Sequence, residues 1–291
     1  MASDANSVWR KVAVKKIRDN ATTEESDMLI RECQYLTDSG KHPNIIQVLG
    51  TGEINGSLIM VLEFADNGDL LAHLKSLERT NHKVIQNLDS SEWKAYLQNT
   101  HPRLFLYMWH IAKGMEYLAR MKIIHRDLAG RNILLSSEHV AKISDFGLSR
   151  DVYENGYYYQ NSNGRMPYKW MSPESLFSGK YTTKSDVWSF GILLWEIVTL
   201  GANPYPGIPP DMLQNMYKHN YVMPSPPLCP EYIYSIMEEC WSFLPEKRPG
   251  FDSLLDTFDK LLQTVVNKEY MDVFKLDGKE DCVSNADDNI T

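Results

Sequence analysis

The stretch HRDLAGRN, residues 125–132, places Asp127 beside His125 and Arg126, with Arg131 four positions on and Asn132 five positions on. Alone it says little, because an aspartate next to an arginine is most often a surface ion pair worth ~0–1 kcal/mol. Other residues change its weight. Lys15 stands in the β-branched run VAVK, Glu32 in a helix-patterned segment after it, and Asp145 in the triplet DFG. Phosphoryl transfer from a nucleotide asks for such a set: a cation on the phosphates, hard oxygen ligands for a metal, and a carboxylate that orients the attacking hydroxyl. Asn132 and Asp145 offer an amide oxygen and a carboxylate, the donors that Mg2+ prefers.

These residues need elements to hold them. KVAVKKI (11–17) alternates as a short strand, and in EESDMLIRECQYL (24–36) Leu29, Cys33 and Leu36 recur at helical spacing, so strand, loop and helix are expected in that order. SLIMVLEFA (57–65) reads as a second strand, stopped by the turn signal in DNGD. Residues 76–101 are polar and aperiodic and read as a surface insertion. From Met108 onward Ile111, Ala112, Met115, Leu118 and Ala119 trace one helical face, and the remainder reads as mostly helical. No internal repeat is present. Residues 269–291 carry seven acidic and two basic side chains with little apolar periodicity, the composition of a disordered tail.

With VAVK before them, and DFG and SPE (172–174) after, the residues of HRDLAGRN resemble the protein kinase family. The resemblance implies an α+β bilobal fold, with a truncated N-lobe and hinge over 1–65, a helical C-lobe over 66–268 containing the polar insert, and the acidic tail beyond. It implies ATP and Mg2+ as cofactors. Lys15 would hold the α- and β-phosphates and pair with Glu32; Asp127 would accept the hydroxyl proton; Asn132 and Asp145 would ligate Mg2+. Glu63 and Ala65 fall where the family's hinge presents backbone groups to adenine, after Leu62 at the gatekeeper position, and Ala13 and Leu134 would sandwich the purine. Asp186 would brace the catalytic loop and Arg248 would pair with Glu174.

Serine/threonine kinases carry a lysine two residues after the catalytic aspartate. Here Ala129 stands there, and Arg131 stands four residues after Asp127. That is similar to the tyrosine kinase pattern, as is RMPYKWM (165–171), where Pro167 and Trp170 would form a platform for the substrate ring. The tandem Tyr157 and Tyr158, Tyr270 in NKEYMDV, and GKHPNIIQVLG (40–50) resemble the fibroblast growth factor receptor kinases. From this follow expectations of protein tyrosine substrates, a second receptor copy that phosphorylates Tyr157 and Tyr158 in trans with Arg126 as the phosphates' partner, and phosphotyrosine-binding adaptors at Tyr270. The implied location is the cytoplasmic side of the plasma membrane, within a single-pass receptor.

The fourteen residues before Lys15 contain no glycine, so the family's glycine-rich phosphate loop is absent from them. A catalytically impaired, pseudokinase-like interaction module therefore stays open beside the active enzyme. Composition narrows the field further. With 43% hydrophobic and 23% charged residues the 291-residue chain suits a globular fold, and its net charge of −8 argues against a nucleic-acid surface. Cys33, Cys229, Cys240 and Cys282 are scattered without metal-ligand spacing, which fits free thiols in a reducing compartment. VWSFGILLWEIVTLG (187–201) is too short for a membrane span and is interrupted by Glu196, so a buried helix is expected; the N-terminus has no signal-peptide pattern.

Overall fold

The computed structural model of the chain describes residues 2–3, 9–16, 23–38, 40–54, 57–85, 102–146, 150–151, 158–159, 166–227 and 229–265. A two-residue antiparallel pair, β1 (Ala2–Ser3) and β2 (Trp9–Arg10), precedes the main N-terminal sheet. That sheet contains β3 (Val12–Lys16), and α1 (Thr23–Asp38) follows it. Next come β4 (Val48–Ile54) and β5 (Ser57–Glu63), giving an antiparallel order β3-β5-β4. Along β3 the side chains alternate, so Val14 faces solvent while Lys15 turns inward. The same register logic puts Lys15 opposite Met60, the most buried residue of β5. On α1 the spacing of Leu29, Glu32 and Leu36 lays all three on the buried face, with Cys33 packed at its margin.

After β5 the chain crosses to the helical body through residues 64–69. Asn67 donates its backbone N–H to the Leu135 carbonyl and Leu135 returns one to Gly68, whose φ of +68° makes the turn that the Asn-Gly pair signalled. α2 runs Leu70–Ile85. Its extent corrects the reading of residues 76–101 as an insertion from its first residue. Leu70, Leu74 and Leu77 keep a helical stripe against the core, while the polar residues between them cover only the outer face. Residues 86–101 lie outside the described residues.

α3 (Pro102–Arg120) buries Ile111, Ala112, Met115 and Leu118 on the expected face. Short strand pairs then frame the stretch HRDLAGRN: β6 (Ile123–Ile124), a 3-10 turn over Gly130–Asn132, β7 (Ile133–Leu135) and β8 (Ala141–Ile143). β9 (Arg150–Asp151) pairs with β6, and β10 (Tyr158–Tyr159) with β11 (Lys180–Tyr181), which follows α4 (Pro173–Ser178). α5 (Thr183–Val198) opens on a capping box in which Thr182 and Ser185 each satisfy the other's backbone N–H. It is buried nearly all round, as its unbroken apolar run requires. Gly191 makes this possible, because a Cβ there would stand 2.6 Å from Trp241 Nε1. α6 (Pro210–Lys218), α7 (Glu231–Cys240) and α8 (Phe251–Val265) complete the body.

The result is an α+β molecule, a small sheet over a largely helical body, as expected. Among the described residues no helix is long and apolar enough to cross a membrane.

Candidate active site

Three backbone devices present the catalytic stretch. Asp186, buried on α5, accepts the N–H of His125 at 2.8 Å and that of Arg126 at 2.9 Å. Those two bonds hold the loop while Arg126 takes a left-handed φ of +71°. His125 accepts from the Asp127 N–H through Nδ1 and meets the Ser144 carbonyl through Nε2. Its ring packs edge-on against Phe146 at 5.0 Å, so the residue after Asp145 is locked into the core.

Asp127 follows. Its carboxylate accepts from the Arg131 guanidinium on one oxygen and from Asn132 Nδ2 on the other at 2.8 Å. Burial raises its proton affinity, and Arg131, His125 and Asn132 oppose that rise. A carboxylate so placed is an oriented acceptor for a hydroxyl proton. Asn132 also donates to the Asp127 carbonyl, which spends its amide nitrogen and turns its amide oxygen to other use. Ser144 donates from both N and Oγ to the Asn132 carbonyl, which ties Asn132 to the strand end carrying Asp145.

Above the loop, Lys15 Nζ donates to both Glu32 oxygens at 2.7 and 2.6 Å and to Asp145 Oδ1 at 3.1 Å. Burial works against the ammonium, yet the carboxylates of Asp145 and Glu32 outweigh it and hold its pKa above the ordinary lysine value. Asp145 reaches up with a left-handed φ of +60°. Lys15, Glu32, Asp127, Arg131, Asn132 and Asp145, drawn from four separate elements and loops, thus form one constellation.

The expected purine site is assembled differently in one respect. Ala13 lies opposite Leu62 in the β3–β5 register, and Leu134 on β7 is bridged to Asp69 at the end of the crossing segment. Ala65 is half-buried within that segment. Glu63, however, closes β5 instead of following it: its N–H donates to the Gln47 carbonyl, while its carboxylate accepts from Gln47 N–H at 2.8 Å and Lys142 Nζ at 3.1 Å.

Trp170 also departs from expectation. Its ring lies 4.4 Å from the Arg131 guanidinium, and its indole N–H donates to Glu196 Oε2 at 2.9 Å. Glu196 accepts the Gly130 N–H as well, at 3.0 Å. Trp170 therefore supports Arg131 from beneath. Glu196, read from sequence only as a break in an apolar run, underpins the catalytic loop; the signal was that very break, since a carboxylate deep in a core needs donors. Arg126 has its guanidinium 4.1 Å from the Tyr181 ring, with Tyr158 across from Tyr181 in the β10–β11 register. Tyr157, Tyr270 and residues 269–291 lie outside the described residues. Arg248 donates to both Glu174 oxygens, at 2.6 and 2.8 Å, as expected.

An oriented carboxylate beside an amide, and a cation gripped between two further carboxylates above it, define a protein kinase domain. A family model described as protein tyrosine and serine/threonine kinase matches residues 2–258, and the chain belongs to that family.

Proposed function

We propose that this protein kinase domain is directed to tyrosine and is of receptor type, transferring the γ-phosphate of ATP to tyrosine hydroxyls. The observation that carries the reading is the cation beside Asp127. It is Arg131, braced on Trp170, while position 129, where a serine/threonine kinase would place lysine, is a fully buried alanine. In this reading Lys15 engages the α- and β-phosphates. The phenol oxygen attacks the γ-phosphorus as its proton passes to Asp127, and the bond to the leaving ADP oxygen breaks. The Asn132 amide oxygen and the Asp145 carboxylate suit Mg2+, which when bound neutralises phosphate charge. Ala13, Leu134, Ala65 and the Glu63 backbone would receive the purine. Regulation through Tyr157 and Tyr158 by a second copy, adaptor binding at Tyr270, and a place at the cytoplasmic face of the plasma membrane follow from the similarity to fibroblast growth factor receptor kinases.

The test pairs a tyrosine peptide with its serine counterpart, assayed with wild type and Asp127→Asn. Wild type should phosphorylate tyrosine alone, and the substitution should lower that rate by about 10²–10⁴-fold with folding nearly unchanged. Serine phosphorylation would overturn the specificity. A wild type no faster than the variant would instead favour the non-catalytic module.

A further inference from the structure

In the helical body α3 and α8 lie side by side, and two contacts fix their relative direction. The Trp109 indole N–H donates to Asp259 Oδ1 at 2.6 Å, while Glu116, Ala119 and Arg120 of α3 share a cavity of about 310 Å3 with Gly250, Phe251 and Asp252 at the start of α8. The helices therefore run antiparallel. Val265, the last residue of α8, lies toward the Pro102 end of α3. At 1.5 Å per residue it stands roughly 15 Å from Lys113 and roughly 25 Å from Arg120, measured along the axes.

Those two cations rest on aromatic rings, Lys113 Nζ over Trp109 at 4.6 Å and the Arg120 guanidinium over Tyr117 at 5.3 Å. Glu116 stands between them on α3 and Asp259 is taken by Trp109, yet among the described residues neither cation is in an ion pair. The turn between α1 and β4 meets the same face, where His42 stacks on the Tyr117 ring with centroids 4.7 Å apart. Burial holds the His42 pKa down at about 4, and Lys113, Arg120 and Lys142 all push it the same way. Lys142 is itself paired with Glu63. Exposed Lys41 precedes His42, and exposed Lys122 follows α3. On a chain whose net charge is −8, this face is a local excess of positive charge.

Such a face suits a segment rich in carboxylates and within reach. Residues 269–291, outside the described residues, carry seven acidic side chains against two basic, and they begin four residues past Val265. Extended chain from Val265 spans up to roughly 23 Å by Asp272 and roughly 50 Å by Glu280, which covers both distances with slack. We propose that this acidic tail folds back along α3 and seats on the face formed by Lys113, Arg120 and the turn that carries His42. A segment tethered beside its site needs little affinity, because its effective concentration is high. The consequence falls on α1. Asn44 and Ile46 of that turn are bonded to Ala141 and Ile143 of β8, so a seated tail would brace the joint from which α1 and Glu32 extend.

The experiment treats the full chain with a water-soluble carbodiimide, which joins a carboxylate to a lysine amine that it touches, and reads the products by mass spectrometry. Mixing heavy-isotope and ordinary chains separates links within one molecule from links between two. At low ionic strength Lys113 should be joined to acidic residues of 269–291 in the same chain. The yield should fall several-fold as salt rises from roughly 0.05 M to roughly 0.5 M, because exposed charges are screened over that range. Arg120→Glu keeps the Lys113 amine as reporter and should lower the yield at least about threefold. Asp277→Asn/Glu280→Gln/Asp281→Asn should do the same, and it lies beyond α8, so it decides the matter if Arg120→Glu melts early. Links that are absent at low salt, that join two molecules, or that survive the tail variant unchanged overturn the proposal.

Discussion

Two cation–carboxylate pairs, one in each body of the molecule, are built in opposite ways. In the sheet body Glu32 is 3% exposed while its partner Lys15 is 40%, and Lys15's second partner, Asp145, 51% exposed. In the helical body, Arg248 is completely covered, donating to Glu174, to the Ser242 carbonyl and to the Lys184 carbonyl. In this first pair the carboxylate is covered and the cation reaches solvent. In the second the cation is covered, and Arg248 without Glu174 would be a buried, unmatched charge. The same contrast runs through the site, whose catalytic loop hangs on buried Asp186 and Glu196 while Lys15 stays open to the cleft. Holding the fold and facing the cleft thus fall to different charges.

Substitutions test that division. Arg248→Ala should have the largest effect on folding, about 3–5 kcal/mol, read by chemical denaturation. A loss within 1 kcal/mol would break the contrast. Lys15→Met should act on rate instead, lowering kcat/KM by about 10²–10³-fold, the range for removing one preorganised donor to developing charge. Its melting temperature should also fall, though by less than that of Arg248→Ala, because Glu32 is left covered without its cation.

Asp186 sharpens the comparison through pH. Burial pushes its carboxyl up to about 6, against the pull of His125, Arg126 and the two backbone N–H groups. Between its ordinary value near 4 and about 6 the folded state binds more protons than the unfolded, so this group's contribution to stability falls as pH rises through that window. Measured against Asp186→Asn, wild type should therefore gain roughly 1 kcal/mol between pH 7 and pH 5. The smallest effect belongs to Lys11→Ala, which removes an exposed pair with Asp66 at 3.2 Å and should change stability by less than about 0.5 kcal/mol.

Much of this arrangement was legible in the chain because the chemistry is local. Asp127, Arg131 and Asn132 share one loop, and Lys15 and Glu32 each sit in a clear periodic segment. What stayed hidden depended on partners far along the sequence. Glu196 finds Gly130 and Trp170 only when α5 is packed, and the role of Trp170 under Arg131 follows from the same contact. The length of α2 was missed because a helix covered on one side needs few apolar residues, and Leu77 was enough to carry the stripe onward. The partner of the Glu63 side chain was hidden too, since nothing nearby in sequence announces Lys142.

The turn between α1 and β4 belongs by position to the sheet body, yet it is sewn to the helical one. Ile46 donates to the Ile143 carbonyl, Ile143 to the Asn44 carbonyl, and Asn44 Nδ2 to that of Ala141. Beneath it Gly114 leaves so little room that a Cβ would stand 2.6 Å from Ile143 Cδ1 and 2.8 Å from the Asn44 carbonyl. Mechanically, α1 is a lever whose C-terminal end is pinned to a rigid foundation, with Glu32 partway along the arm. The distance of Glu32 from Lys15 is therefore set partly at that anchor, and a single methyl at position 114 would press on it from a distance.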